Sequence, residues 1–226
     1  MLAPEKIRAK LLQNYEPDLV CRPDSDLVIE GYPRSANTFT VSMIRVLCDA
    51  AGQKQPCIGH HTHSVQNLRL AAGYGIPMMV LIREPADAIL SLHIRSGKSV
   101  ETLLQRYVTF HTGLLDLDAA YLLARFDEVV GDFNTIITRL NTMLKTPLPL
   151  SADLAGDTTK AQARNKARAA RKHNRQNIKQ NINLRISTPT PEREKIKTAL
   201  RAGIAQALAD NPEPIRLYRE VLARSA

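Results

Sequence analysis

The order of features between Leu27 and Cys48 constrains this chain more than anything else in it. The apolar run Leu27-Val28-Ile29 leads into Gly31-Tyr32-Pro33-Arg34-Ser35-Ala36-Asn37-Thr38, and a helix-like pattern follows from Phe39 to Cys48. Strand, tight turn and helix N-terminus in that order make an anion cradle. Backbone N–H groups point outward at the turn, and the helix dipole adds partial positive charge there.

The rest of the chain alternates in the same sense. Strands are expected at 26–31, 56–60, 77–82 and 121–126; the third is an uncharged run with Pro77 as a breaker at its start. Helices are expected at 4–14, 38–50, 100–118, 132–144, 192–209 and 214–224. Two more run from a Ser64 cap to about Tyr74, ended by Gly73 and Gly75, and onward from Pro85. Such alternation indicates a parallel sheet covered on both faces. A length of 226 residues suits one α/β domain with a sizeable core. The expected fold class is a single-domain α/β protein, P-loop NTPase-like, with a central parallel sheet flanked by helices and a helical, basic C-terminal region. Within 1–226, segment 146–191 is expected to hold a surface connection, at 146–159, and then a basic region that reads as either a helix or a mobile loop.

The formal net charge of +9 is concentrated. Nine basic residues lie between Lys160 and Arg185, and no Asp or Glu occurs between Asp157 and Glu192. The remainder is close to neutral, which argues for one localised anion-facing surface and against a general nucleic-acid coat. Cys21, Cys48 and Cys57 lack metal-ligand spacing and read as reduced thiols. No apolar run is long enough to span a bilayer, and the first residues lack a signal core, so the expected setting is cytoplasmic.

In the P-loop register G-x-x-x-x-G-K-[ST], Gly31 and Thr38 fit, Ala36 replaces the second glycine and Asn37 replaces the lysine. The cation has moved to Arg34, inside the turn. Tyr32-Pro33-Arg34-Ser35-Ala36-Asn37-Thr38-Phe39 resembles the 5′-phosphosulfate loop of sulfotransferases that use 3′-phosphoadenosine-5′-phosphosulfate (PAPS). That family also has an arginine at a strand end and a serine eight residues later, which bind the 3′-phosphate. Arg83 and Ser91 match in type and spacing, and an arginine fork suits a phosphate. The family's later strand-helix segment is matched by 121–140. Its C-terminal Arg-Lys-Gly triplet, on a basic loop that closes over the nucleotide, is not cleanly present; Arg171-Lys172-His173 is the nearest string, with Arg168 and Arg175 as other candidates.

The resemblance implies PAPS as co-substrate, no metal, and a small-molecule, glycan or lipid acceptor. Arg34 takes the place of the residue that stabilises the leaving phosphate, and Ser35, Ala36, Asn37, Thr38 and Phe39 hold the 5′-phosphate, with Phe39 mainly packing. Sulfuryl transfer also needs a base for the acceptor hydroxyl. His60, His61 and His63 end the second strand, at the sheet edge where open α/β sheets bind ligands. His61-Thr62-His63 resembles the family's Lys-Thr-His, which makes His63 the favoured base, with His61 close behind. Three clustered histidines also read as a metal site or a polar loop. His93 and His111 are expected as helix-face residues, Asp127 and Glu128 as a structural acidic turn, and Asp87 as a solvent-facing or capping residue. The competing functions are a nucleotide kinase or related phosphotransferase, disfavoured by Asn37, and a non-catalytic RNA- or anion-binding scaffold. Nucleic acid is disfavoured by the lack of aromatics in the basic stretch.

Overall fold

Alternation at period two decides how the sheet is covered. The computed structural model of the chain describes residues 3–175 and 191–224. Four strands form one parallel sheet: β1 (Leu27–Gly31), β2 (Ile58–His60), β3 (Met78–Ile82) and β4 (Leu122–Arg125), in the order β2-β1-β3-β4. Val28, Val80, Ile82 and Leu123 face one core, while Leu27, Ile29, Met79, Leu81 and Leu122 face another. Both faces are therefore dry, as the near-continuous apolar strands require. Each such side chain contributes roughly 1.5–3 kcal/mol by leaving water.

The second core is closed by α2 (Asn37–Ala50), α7 (Phe133–Asn141) and the packed residues of α8 (Leu154–Arg175). The first is closed by α1 (Pro4–Leu12), α3 (Val65–Tyr74), α4 (Pro85–Ser96), α5 (Val100–Leu115), α9 (Pro191–Asp210) and α10 (Glu213–Ala223). The short α6 (Phe126–Gly131) follows β4 directly. After β1 the chain crosses to β2 on one side, and after β3 it crosses to β4 on the other. The carboxyl ends of β1 and β3 therefore flank a topological switch point, where such sheets leave a crevice.

Several element ends differ from the sequence expectation, each for a local reason. The second strand begins at Ile58, because the Asp26 carboxylate takes the Cys57 N–H (2.7 Å) and Pro56 has none to give. The fourth strand ends at Arg125, whose N–H is accepted by Glu128 Oε2 (2.9 Å) as α6 begins. Helix α5 stops at Leu115 rather than at 118. Helix α7 starts after Asp132, which caps Thr135 N–H (3.2 Å), and ends at Asn141, whose side chain bonds both backbone groups of Leu148. The expected connection is shorter than 146–159, since α8 begins at Leu154 with Asp153 accepting Gly156 N–H (2.9 Å). The part of the basic stretch that is described, through Arg175, is helical; Lys179 and Arg185 lie outside the described residues. Helix α8 packs on α2, with Ala161 fully buried and Ser42 Oγ donating to Asn165 Oδ1 (2.6 Å). Ser64 caps α3, Gly75 ends it at φ 65° and Pro85 opens α4, as the sequence indicates. Among the described residues no helix is long and apolar enough to cross a membrane.

Candidate active site

Gly31 ends β1 opposite Leu81 of β3, and a Cβ there would run into the Leu81 carbonyl. The chain then turns sharply, Ser35 N–H closing on Tyr32 O (3.2 Å). Arg34 and Ala36 both take left-handed backbone angles, φ 78° and 74°, which costs a non-glycine residue about 1–2 kcal/mol. Ala36 is the N-cap of α2 and offers no side-chain acceptor to the first turn. The N–H groups of that turn have no intrahelical partner. The strained loop thus presents uncapped donors at the positive end of a helix, beside a cavity of about 400 Å³.

Arg34 Nε donates to Ser91 Oγ (2.9 Å), and Arg83 Nη1 donates to the Arg34 carbonyl (3.0 Å). The loop after β1 and the strand end of β3 are thereby tied together. Arg83 lies 3.8 Å over the Phe126 ring and 3.6 Å from Asp87 Oδ2. Tyr107 Oη donates to the Arg83 carbonyl (2.8 Å). Burial lowers the basicity of Arg83 and Asp87 works against it. Asp87 faces solvent, one of its two expected places, and also partners Arg83 and, at 3.9 Å, Arg201; the cap of α4 is Glu84. Among the described residues three buried polar atoms here have no hydrogen-bond partner: Ser35 Oγ and Arg83 Nε, which can donate, and Asn37 Oδ1, which only accepts. The two orphaned donors suit an anionic ligand.

The histidines share the same cavity, which His61 and His63 both line. His63 Nδ1 lies 2.7 Å from the Gly31 carbonyl, and a carbonyl only accepts, so Nδ1 carries the proton. Nε2 is then the lone-pair nitrogen. In His61 both ring nitrogens are engaged, Nε2 with Thr38 Oγ1 (2.9 Å) and Nδ1 with His60 Nδ1 (2.8 Å). Burial lowers His63 to about 4, against the pull of the Gly31 carbonyl. Burial, then His60 and His63, hold His61 well below the ordinary imidazole range.

Glu30 is the residue that sequence reasoning passed over. It stands fully buried in β1 and accepts from Thr62 N–H (3.0 Å), Thr62 Oγ1 (2.7 Å), His63 N–H (2.8 Å) and Asn67 Nδ2 (2.9 Å). Burial pushes its carboxyl up to about 7, although each of these bonds pulls it down. The clamp fixes a loop in which His61 and His63 both have positive φ, 61° and 51°. A lone acid in an otherwise apolar strand was the available signal.

The other expected residues are distributed as follows. Asn37 is buried and donates to the Tyr32 carbonyl (3.3 Å). Phe39 does two things, packing edge-on against Phe133 (6.0 Å) and lining the cavity. Arg171 is exposed on α8 and is not among the cavity-lining residues, whereas Gln162 and Asn165 of α8 and Lys197 of α9 are. The side chain of Lys172 lies outside the described residues. His93 donates to Lys98 O (2.7 Å) at the end of α4. His111 does not face outward: it is fully buried and stacked on Tyr107 (3.9 Å).

No family model and no curated protein matches the sequence. Among solved structures, the mouse sulfotransferase SULT7A1 complexed with PAP is similar to this chain. The identity is 14%, over 84% of this chain and 79% of that one, with a TM-score of 0.47.

Proposed function

We propose that the chain is a sulfotransferase that moves a sulfuryl group from PAPS to a hydroxyl or amine of an acceptor. The observation that carries the reading is convergence on one cavity. An uncapped helix N-terminus, the linked Arg34, Ser91 and Arg83, and an imidazole with a defined free nitrogen all line it. A kinase-type loop would carry a lysine where this one has the buried, uncharged Asn37.

In this reading Arg34, Ser35, Ala36, Asn37, Thr38 and Phe39 hold the 5′-phosphosulfate, and Arg83 and Ser91 hold the 3′-phosphate. Arg171 and Lys172 remain candidates for the region that closes over the nucleotide. PAPS supplies the group to be transferred. The acceptor oxygen forms the new bond to sulfur, its proton passes to His63 Nε2, and the bond from sulfur to the bridging oxygen breaks. The charge left on that oxygen meets Arg34 and the backbone donors of α2. Arg106, Arg95 and Arg34 all depress the basicity of His63. An anion placed against Arg34 offsets part of that field and strengthens the base. The free thiols Cys21, Cys48 and Cys57 agree with a cytoplasmic setting.

The test is calorimetric titration with 3′,5′-adenosine bisphosphate, beside Mg-ATP and AMP. Selective binding of the bisphosphate, weakened about tenfold or more by Arg83→Ala, is the expected outcome. Preference for Mg-ATP would sink the proposal.

A further inference from the structure

The search beyond the donor cavity leads to a groove between α3 and α5. It encloses about 750 Å³ and has His63 at its wall, so the same residue borders both this groove and the donor cavity. Thr102, Gln105, Arg106, Thr109, Gly113 and Asp116 recur along it at helical spacing, so one stripe of α5 forms its length. Fourteen helical steps from Thr102 to Asp116 amount to about 20 Å.

The charge of the groove is informative. Arg69 of α3 and Arg106 of α5 are both half-buried, and among the described residues neither makes an ion pair. Asp116 lines the groove at the C-terminal end of α5. Two guanidinium groups partly withdrawn from water without a counter-anion are the arrangement that an incoming anion improves. The side-chain amides of Gln66 and Gln105 match ligand hydroxyls, and Val65 and Phe110 supply apolar patches beside them. A sugar has both kinds of surface. An aliphatic chain would cover the two amides and the two guanidinium groups without giving them partners.

We propose that this groove is the acceptor site and takes a hydroxyl-bearing sugar that carries a carboxylate or a phosphate, with Arg69 and Arg106 binding the charge. The assignment as an acceptor site rests on the sulfotransferase reading. Binding of the anionic sugar does not. Position supports the assignment: His63, the proposed base, borders both the groove and the donor cavity.

The experiment titrates the full chain, free and saturated with 3′,5′-adenosine bisphosphate. The probes are a hyaluronan tetrasaccharide for the carboxylate form, glucose 6-phosphate for the phosphate form, and neutral maltotetraose. The Arg69→Ala, Arg106→Ala double variant is titrated in parallel. Its Arg→Gln counterpart serves if the alanine pair lowers the melting temperature. The expected result is saturable binding of one anionic probe, about tenfold or more tighter than maltotetraose and about tenfold or more weaker in the double variant. That result should come with unchanged bisphosphate affinity in the variant and a shift of the His63 ring signals. Equal affinity for maltotetraose, unchanged affinity in the double variant, or no saturable binding of either anionic probe overturns the proposal. If the bisphosphate does not bind but the arginine-dependent sugar affinity is present, the sulfotransferase reading falls and the anionic-sugar site stands.

Discussion

Replacing Glu30 by Gln separates what this carboxylate does by charge from what it does by hydrogen bonding. The amide oxygen can keep the place of Oε1 and its three donors, from Thr62 N, Thr62 Oγ1 and Asn67 Nδ2. The amide NH₂ must then face the His63 N–H that Oε2 accepts in the native chain. One bond is lost and two donors oppose each other, which costs about 1–3 kcal/mol at any pH. The charge effect is different because it depends on pH. The folded carboxyl is raised from 4.5 to about 7. A raised value means that Glu30 contributes stability fully present below pH 4.5 and lost as pH rises through 7. Integrated from about pH 5.5 to about pH 8, the loss is about 2 kcal/mol. The glutamine variant lacks it. Buried histidines with lowered values work in the opposite direction, losing stability as pH falls from 6.5 towards 4, but they are common to both chains and cancel in the difference. Urea unfolding of both proteins, followed by circular dichroism across that range, gives the difference directly. The variant should be less stable at about pH 5.5, and the gap should shrink by about 2 kcal/mol at about pH 8. Parallel stability curves would show that Glu30 titrates alike in both states and would refute the reasoning.

Ala36→Gly relieves a left-handed alanine and should stabilise the protein by about 1 kcal/mol in the same unfolding assay, offset in part by glycine's greater freedom in the unfolded chain. His63→Ala should slow release of adenosine bisphosphate from PAPS, to water or to an accepted acceptor, about 100-fold or more, with bisphosphate affinity unchanged. His61→Ala should instead weaken bisphosphate binding, because it removes the partner of Thr38 Oγ1.

The sequence made the layers legible because both of their signals are local. Near-continuous apolar strands and helices opened by Ser64 and Pro85 need no tertiary knowledge. The two loops at the switch point were legible for the same reason: a Gly-Tyr-Pro-Arg-Ser turn after one strand, and an arginine with a serine eight positions on after another. The bond between Arg34 and Ser91 was not legible, since it spans 57 positions and depends on strand order. Lys197 was missed because only the packing of α9 on α4 brings it to the cavity. Two strand ends moved because single side chains, Asp26 and Glu128, captured backbone groups that periodicity alone had assigned to strands. The basic stretch looked like surface from its composition, yet Ala161 and Asn165 seat its first turns on α2.

His63 belongs to a loop, but its placement is inherited from a strand. Two consecutive residues of β1 govern it: the Glu30 side chain holds its N–H, and the Gly31 carbonyl holds its ring. The same strand delivers Arg34 three residues later. The proposed base and the proposed anion cradle are therefore indexed to one register, that of Val28–Gly31 against Met78–Leu81. Amide exchange at His63 should then be as slow as in the central strand and unlike that of an ordinary surface turn. A change that shifts β1 by one position would remove both halves of the site together, whereas changes in the outer helices leave their mutual alignment intact.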